Sequence, residues 1–288
     1  MPNPAYHAPE TVEQASSLLA ANKGARPLAG GTDLIVQMQS GRLAPAAIVD
    51  LKRIAGMKDV REEAGYFAIG AAVPCTSLKN NKALAAEWPG VVEAANLIGS
   101  VQVRNRATMS GNLCNASPAA DSVPALVAAG ATAIVVGASG QREVPVEQIP
   151  TGPGMTSLAD GEFVSEIRIP RKQKGGSDAY LRSIPRTEMD IAVVGAGAQV
   201  VVDDSGTCTA ARIAIGAAAP TVLLVEDAGK ALVGSKLDDA AFAKMMEAVS
   251  AACNPIDDKR GTVAYRKATA GVLAKRVVEI ARQRAGGN

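Results

Sequence analysis

Leu28-Ala29-Gly30-Gly31-Thr32-Asp33-Leu34-Ile35 is the stretch on which the fold turns. Arg26 to Ala29 reads as a short strand, the paired glycines as a tight turn, and Asp33 to Gln39 as a helical turn. Two missing Cβ atoms let an anion approach the backbone N–H groups closely. The helical turn that follows adds its positive end, and Thr32 adds a hydroxyl donor. No lysine follows the glycines, so this is not a Walker loop. Taken alone, the stretch describes a plain strand–helix turn equally well.

A second stretch repeats the logic further along. Arg104-Asn105-Arg106-Ala107-Thr108-Met109-Ser110-Gly111-Asn112 continues to Ala116-Ser117-Pro118-Ala119-Ala120-Asp121. Thr108, Ser110 and Asn112 gather hydrogen-bonding side chains at a turn that passes Gly111. An anionic diphosphate needs several donors to replace its lost hydration. Two such turns, each between a strand and a helix, therefore suggest two peptide cradles closing on one diphosphate. That geometry fits a dinucleotide such as FAD lying between two lobes. On this reading Gly31→Val is expected to abolish FAD retention, its branched side chain filling space meant for phosphate.

Two charged positions have a bland and a functional reading. Asp121 opens an apolar helix, as an N-cap would; it could instead accept hydrogen bonds from ribose or ribityl hydroxyls. Arg182 begins Arg182-Ser183-Ile184-Pro185-Arg186-Thr187-Glu188-Met189-Asp190. This is either a solvated, salt-bridged loop or a source of positive charge beside an isoalloxazine, where it would shift the flavin potential.

Around these stretches the chain alternates. A helix opens at Thr11, with Gln14 placed as in a capping box, and Gly24 ends it. Ala47 to Leu51 is a strand, and a small βαβ-like unit ends near Gly56. Val60 to Ala64 and Tyr66 to Gly70 form a hairpin. Thr76 to Asn80, Leu84 to Glu87 and Val91 to Ile98 are helical, as is Ser122 to Ala129. Thr132 to Val136, Arg142 to Val146 and Phe163 to Ile169 are strands. Arg171-Lys172-Gln173-Lys174-Gly175-Gly176 reads as a solvated linker. Beyond it, strands at Ala179 to Ser183, Ile191 to Val202 and Ala210 to Ala217 precede helices. That order points to an antiparallel sheet covered by helices, an α+β layer.

Composition narrows the function. The 288 residues are 48% hydrophobic and 20% charged, ordinary for a globular chain that needs no staples. With 30 basic and 28 acidic residues the net charge is +2, which gives no electrostatic reason to expect nucleic acid or an anionic membrane as partner. Cys75, Cys114, Cys208 and Cys253 form no CxxC pair, which argues against a zinc or iron–sulfur site in this chain and fits reduced thiols in the cytoplasm. His7 is the one histidine. A chain so poor in acid–base and nucleophilic groups needs a cofactor for hard chemistry. Met1-Pro2-Asn3-Pro4-Ala5-Tyr6 has no signal-peptide pattern, and no apolar run reaches spanning length.

These motifs carry a resemblance. The chain resembles the FAD-binding medium subunits of the molybdenum hydroxylases, a family that includes the medium subunit of aerobic carbon monoxide dehydrogenase and the flavin domain of xanthine dehydrogenase. The likeness rests on Ala29 to Asp33, the Gln102-Val103-Arg104-Asn105-Arg106 lead-in, Thr108 to Asn112, Asp121 and Asp190-Ile191-Ala192, and it runs over essentially the whole chain. It implies an α+β fold. Residues 1–176 would form an FAD-binding domain of the vanillyl-alcohol-oxidase (PCMH-like) type, with two α/β subdomains, about 1–56 and 57–176. Residues 177–288 would form a three-stranded antiparallel sheet with helices.

The resemblance also implies a site. Leu28, Ala29, Gly30, Gly31, Thr32, Asp33, Leu34 and Ile35 would hold the pyrophosphate side of FAD together with Thr108, Met109, Ser110, Gly111 and Asn112. Gly99, Asp121, Val164 and Arg182 would add contacts. Arg182 stands where relatives often carry lysine, which keeps the charge but changes hydrogen-bond geometry. Met109-Ser110-Gly111 replaces the Ile-Gly-Gly of many relatives, and Ser110 adds a Cβ at a tight approach. The implied role is electron transfer. A large molybdopterin subunit oxidises substrate, a small subunit with two [2Fe–2S] clusters relays electrons, and FAD here passes them to an external acceptor. The implied assembly is a dimer of heterotrimers. Carbon monoxide, purines, N-heterocycles and aldehydes all stay open as substrates, since that pocket would lie in another chain. A free-standing flavin oxidase and a nucleotide-binding regulatory module are the rival readings.

Overall fold

The computed structural model describes residues 4–286. Residues 1–3 and 287–288, at the outer ends of the two expected domains and within the N-terminal stretch read above, lie outside the described residues.

The first unit is a small parallel sheet. In chain order it has β1 (Ala5–His7), α1 (Val12–Ala21), β2 (Arg26–Leu28), α2 (Leu34–Gln39) and β3 (Ala47–Asp50). The strand order is β1-β3-β2, with both pairings parallel. Thr11 caps α1 by accepting from the Gln14 amide, while Gln14 Oε1 accepts from the Glu10 amide, close to the expected capping box. β3 is buried along its whole length. Ala15 and Leu19 of α1 pack with Val49, Leu51 and Ile54. By contrast, α2 buries none of its residues, so its loop rather than a core holds it in place. β1 was not anticipated, because three residues between prolines show no periodicity.

The second unit holds an antiparallel sheet. β4 (Val60–Glu62) and β5 (Tyr66–Gly70) precede six short helices: α3 (Cys75–Leu78), α4 (Lys82–Glu87), α5 (Pro89–Ala95), α6 (Val101–Arg104), α7 (Met109–Cys114) and α8 (Ser122–Ala128). β6 (Thr132–Gly137), β7 (Gly140–Pro145), the small hairpin β8 (Pro150–Gly152) and β9 (Met155–Thr156), and β10 (Phe163–Pro170) follow. The order β4-β5-β10-β6-β7 places the last strand at the centre. Phe67, Ile69, Ile167 and Ile169 join Leu126, Trp88 and Leu113 in one core. Arg61, Glu166, Arg168 and Glu143 form a chain of ion pairs across the strands.

The third unit comprises β11 (Gly176–Ser183), β12 (Val194–Val202), β13 (Cys208–Gly216), β14 (Leu223–Leu224), α9 (Glu226–Leu232), α10 (Asp239–Ala252) and α11 (Val263–Gly286). Its sheet has four antiparallel strands rather than three, because the two-residue β14 pairs with β13 at the edge. β12 begins at Val194 rather than Ile191, since the exposed Ile191 belongs to the preceding loop. Val194, Ala196, Ala198 and Val200 point to one face and pack with Ala270, Ala274 and Val277 of α11.

The linker expected at Arg171–Gly176 is solvated only in part: Gln173 and Lys174 are exposed, whereas Arg171 and Lys172 are anchored. Arg171 lies over the Phe67 ring (4.5 Å) and pairs with Glu87 (2.9 Å). Lys172, whose side chain is 7% exposed, pairs with Asp178 (2.8 Å) and lies over Trp88 (4.4 Å). Its long apolar stem fits a crevice while the ammonium finds a buried carboxylate. Two more contacts bring the second and third units together. Gly197 and Gly216 both abut Pro124 of α8, with no room for a Cβ at either.

Candidate functional site

The two glycine turns meet. A Cβ on Gly30 would overlap the Arg106 carbonyl oxygen and come within 3.0 Å of Ala107 Cα, so the backbone of the first loop lies directly on that of the second. Gln37 of α2 donates to Asn115 after α7 (2.9 Å), a further tie between them. Leu28 ends β2, residues 29–33 form the loop, and Leu34 and Ile35 start α2. Among the described residues the amides of Gly30, Gly31, Thr32, Asp33 and Leu34 find no protein acceptor. Asp33 makes no capping bond to α2. This row of free donors, next to a backbone contact that excludes any side chain, fits a bound diphosphate.

Gly31 has φ +80°, where L side chains are strained. A Cβ there would meet Leu28 Cδ1 (2.9 Å) and Ile35 Cδ1 (3.0 Å), which are apolar neighbours within the loop. Its backbone angle and this packing are each enough to require glycine.

In the second loop Thr108 is the N-cap of α7, accepting from the Gly111 amide (2.9 Å). Met109 and Ser110 are both buried. Gly111 is open on its Cβ side apart from Thr108 Oγ1 (3.0 Å). Asn112 Oδ1 accepts from Ser122 Oγ (2.7 Å) and Ser122 N (3.2 Å), tying α7 to α8. Gly99, with φ +52°, sits in the turn before α6. Arg104 holds that turn by donating to the carbonyls of Ile98 and Gly99, each at 3.2 Å. The Val164 side chain belongs to the core beneath α7, at a bulge in β10.

Asp121 stands at the N-cap position of α8, but its carboxylate is engaged elsewhere. It makes no capping bond. Arg182 Nη1 donates to Oδ2 (2.6 Å) and Tyr180 Oη to Oδ1 (3.0 Å). Burial pushes the Asp121 carboxyl up to about 6, although Arg182 and Tyr180 both pull it down. Burial, and then the Asp121 charge, drive the Tyr180 phenol well above its usual range. The Arg182 side chain is 3% exposed, and its Nε is buried without a partner. An orphaned buried donor costs roughly 1–3 kcal/mol, so an acceptor on a bound cofactor fits here. Arg182 is therefore not part of a solvated loop. Tyr180 was missed from the sequence, although it lies two residues before Arg182 on a strand and so shares its face.

Comparisons with known proteins identify the family. Residues 2–172 match the family described as the FAD binding domain in molybdopterin dehydrogenase, and residues 179–281 match the CO dehydrogenase flavoprotein C-terminal domain. The carbon monoxide dehydrogenase medium chain of Afipia carboxidovorans is 36% identical over 281 residues, covering 97% of both chains. The putative xanthine dehydrogenase FAD-binding subunit of Escherichia coli is 31% identical, covering 98% of this chain and 97% of that one. A solved chain of reconstituted CO dehydrogenase from Oligotropha carboxidovorans superposes with a TM-score of 0.94 at 34% identity, covering 98% of this chain and 99% of that one. The α+β fold with an FAD-binding part and a flavoprotein C-terminal part is thereby established. No helix among the described residues is long and apolar enough to cross a membrane. Family match, full-length identity and superposition agree: the chain belongs to the FAD-binding medium subunits of the molybdenum hydroxylases, oxidoreductase components that bind FAD.

Proposed function

We propose that this chain is the electron-transfer subunit of its enzyme. The observation that carries the reading is the junction of Gly30 with Arg106, flanked by a row of unpaired amides. When bound, FAD supplies an electron store that accepts and releases electrons singly or in pairs. The work of the protein is to bind and orient it. The amides of Gly30 to Leu34, with those of Met109 and Ser110, face the diphosphate. Thr108 and Asn112 keep α7 in place for that task. Asp121, held by Tyr180 and Arg182, accepts from the polyol hydroxyls, and the Arg182 donor edge brings positive charge toward the flavin ring. Gly99 lines the cleft by its backbone, as does the bulged strand at Val164.

Electrons arrive from [2Fe–2S] clusters of a small subunit, which draws them from a molybdopterin centre in a large subunit, and they leave for an external acceptor. Residues 1–176 act as the FAD domain and residues 177–288 as the C-terminal domain, within a cytoplasmic dimer of heterotrimers. The names of the relatives, medium chains and FAD-binding subunits of dehydrogenases, support this division of labour.

Co-expression tests it. The chain alone should retain FAD yet stay oxidised under anaerobic carbon monoxide, xanthine, nicotinate or an aldehyde. One of these should bleach the flavin once both partner subunits are present. Bleaching of the isolated chain would instead identify a free-standing oxidase, and failure to take up FAD would end the reading.

A further inference from the structure

The three strands of the small parallel sheet end at one edge, β1 near His7, β2 at Leu28 and β3 at Asp50. Ligands of parallel α/β sheets gather outside the carboxyl ends of the strands. At this edge lies a group that neither glycine turn includes. Lys52, in the turn Leu51–Arg53 after β3, places Nζ 2.6 Å from Asp50 Oδ1 and donates to the Ala29 carbonyl at 3.0 Å. Asp50 is itself fixed. Its Oδ1 also accepts from the Lys52 amide (3.0 Å), and its Oδ2 accepts from Tyr6 Oη (2.6 Å). The Lys52 side chain is only one-fifth exposed (20%).

A trans peptide is planar, and its C=O and N–H point in opposite directions. There is no cis bond among the described residues. Turning the Ala29 carbonyl toward Lys52 therefore turns the Gly30 N–H away from it. The Arg106 carbonyl packs against Gly30 where a Cβ would stand. The first peptide of the loop is thus held at its carbonyl by Lys52 and at Gly30 Cα by the second loop, and its N–H is left without a protein acceptor. The ammonium also lies one peptide behind the row of free amides, where its charge adds to theirs.

We propose that Lys52, anchored by Asp50 and Tyr6, is the positioning residue of the diphosphate loop, aiming the Gly30 amide at a dinucleotide or nucleoside diphosphate. It acts through the Ala29–Gly30 peptide and does not touch the ligand. The inference rests on the reading of residues 28–35 as the diphosphate clasp.

The test is calorimetric titration of the deflavinated full chain with FAD, ADP and riboflavin. In the parent, FAD and ADP bind and riboflavin binds far more weakly; if riboflavin equals FAD, the clasp reading itself fails. Lys52→Met should raise the Kd for FAD and for ADP by about tenfold to a hundredfold, the scale of one charge-assisted hydrogen bond. The riboflavin Kd should move less than about twofold on the same scale. Lys52→Arg should recover most of the loss, since a guanidinium can still bridge Asp50 and the Ala29 carbonyl. An unchanged FAD Kd in Lys52→Met overturns the proposal, and so does an equal loss for all three ligands, which would mark a general packing role. Should Lys52→Met fail to fold, Asp50→Asn provides the same comparison, because it frees Lys52 with little change of shape. A loss selective for FAD and ADP supports the proposal there too, and none overturns it.

Discussion

At the scale of single residues, two glycines and one ion pair set the site. Gly30 is glycine because another backbone occupies its Cβ position, and Gly31 because its φ is positive. The two should fail differently. Gly31→Ala strains the loop by about 1–2 kcal/mol, whereas Gly30→Ala must drive the two loops apart. Gly30→Ala is expected to purify with little FAD and Gly31→Ala with partial occupancy, read as the flavin-to-protein absorbance ratio. Gly31→Val, the harsher change, should still lose FAD, through backbone strain and crowding of Leu28 and Ile35.

The Asp121–Arg182 pair predicts a pH dependence. The carboxyl titrates near 6 in the folded chain and near about 3.9 when unfolded, so the folded form holds the proton more tightly. Its contribution to stability is full below the unfolded value and is lost as pH rises through the folded one. Arg182 lowers the Asp121 value, so Arg182→Ala should move that loss to higher pH and leave an unpaired buried charge above it. The variant should be close to the parent at pH 5 in urea midpoint and weaker by about 3 kcal/mol at pH 8. Equal deficits at both pH values would show that Asp121 does not carry the effect. With FAD retained, the same substitution should lower the flavin potential if Arg182 stands beside the ring as proposed, because a positive charge is then removed.

At the scale of elements, the site depends on how α8 meets the C-terminal sheet. A Cβ on Gly197 would lie 2.7 Å from the Pro124 carbonyl oxygen. Gly197→Ala therefore displaces α8 from β12, and Asp121, just before α8, from Arg182 on β11. A loss of about 1–3 kcal/mol is expected, as for other overpacking, with weaker FAD retention; urea unfolding and flavin content check the two together. Elements of five residues or more were largely legible, because apolar alternation and helical spacing survive over that length. Some short ones, β2, β3, β4 and α3, were legible from the turns that flank them, and others were not. β1, α6 and β14 are too brief to show a period, and they exist because neighbours pair with them or, for α6, because Ser100 caps it.

At the scale of the molecule, the joint between the second and third units includes a polar cluster centred on the buried Asp178. Asp178 on β11 accepts from Lys172 and from the Val91 amide (3.0 Å) at the start of α5, while Arg284 of α11 donates to the Asp178 carbonyl (2.9 Å) and pairs with Glu93. Asp178→Ala strands the Lys172 ammonium and the Val91 amide and should cost about 3–5 kcal/mol, measurable by calorimetry. Adding Lys172→Met should recover part of this, since an apolar side chain suits that crevice.

By itself the sequence determined the class of fold and the two glycine turns, because turn chemistry and periodicity are local properties written in neighbouring residues. It also flagged Asp121 and Arg182, although not as partners. Only the tertiary structure decided that these two neutralise each other with Tyr180, that Lys172 in the charged segment 171–176 is a buried clamp, and that Lys52 reaches Ala29. Each of those facts joins residues far apart in the chain. Desolvation makes each pairing obligatory, and which partner a buried charge finds depends on where the folded backbone brings it.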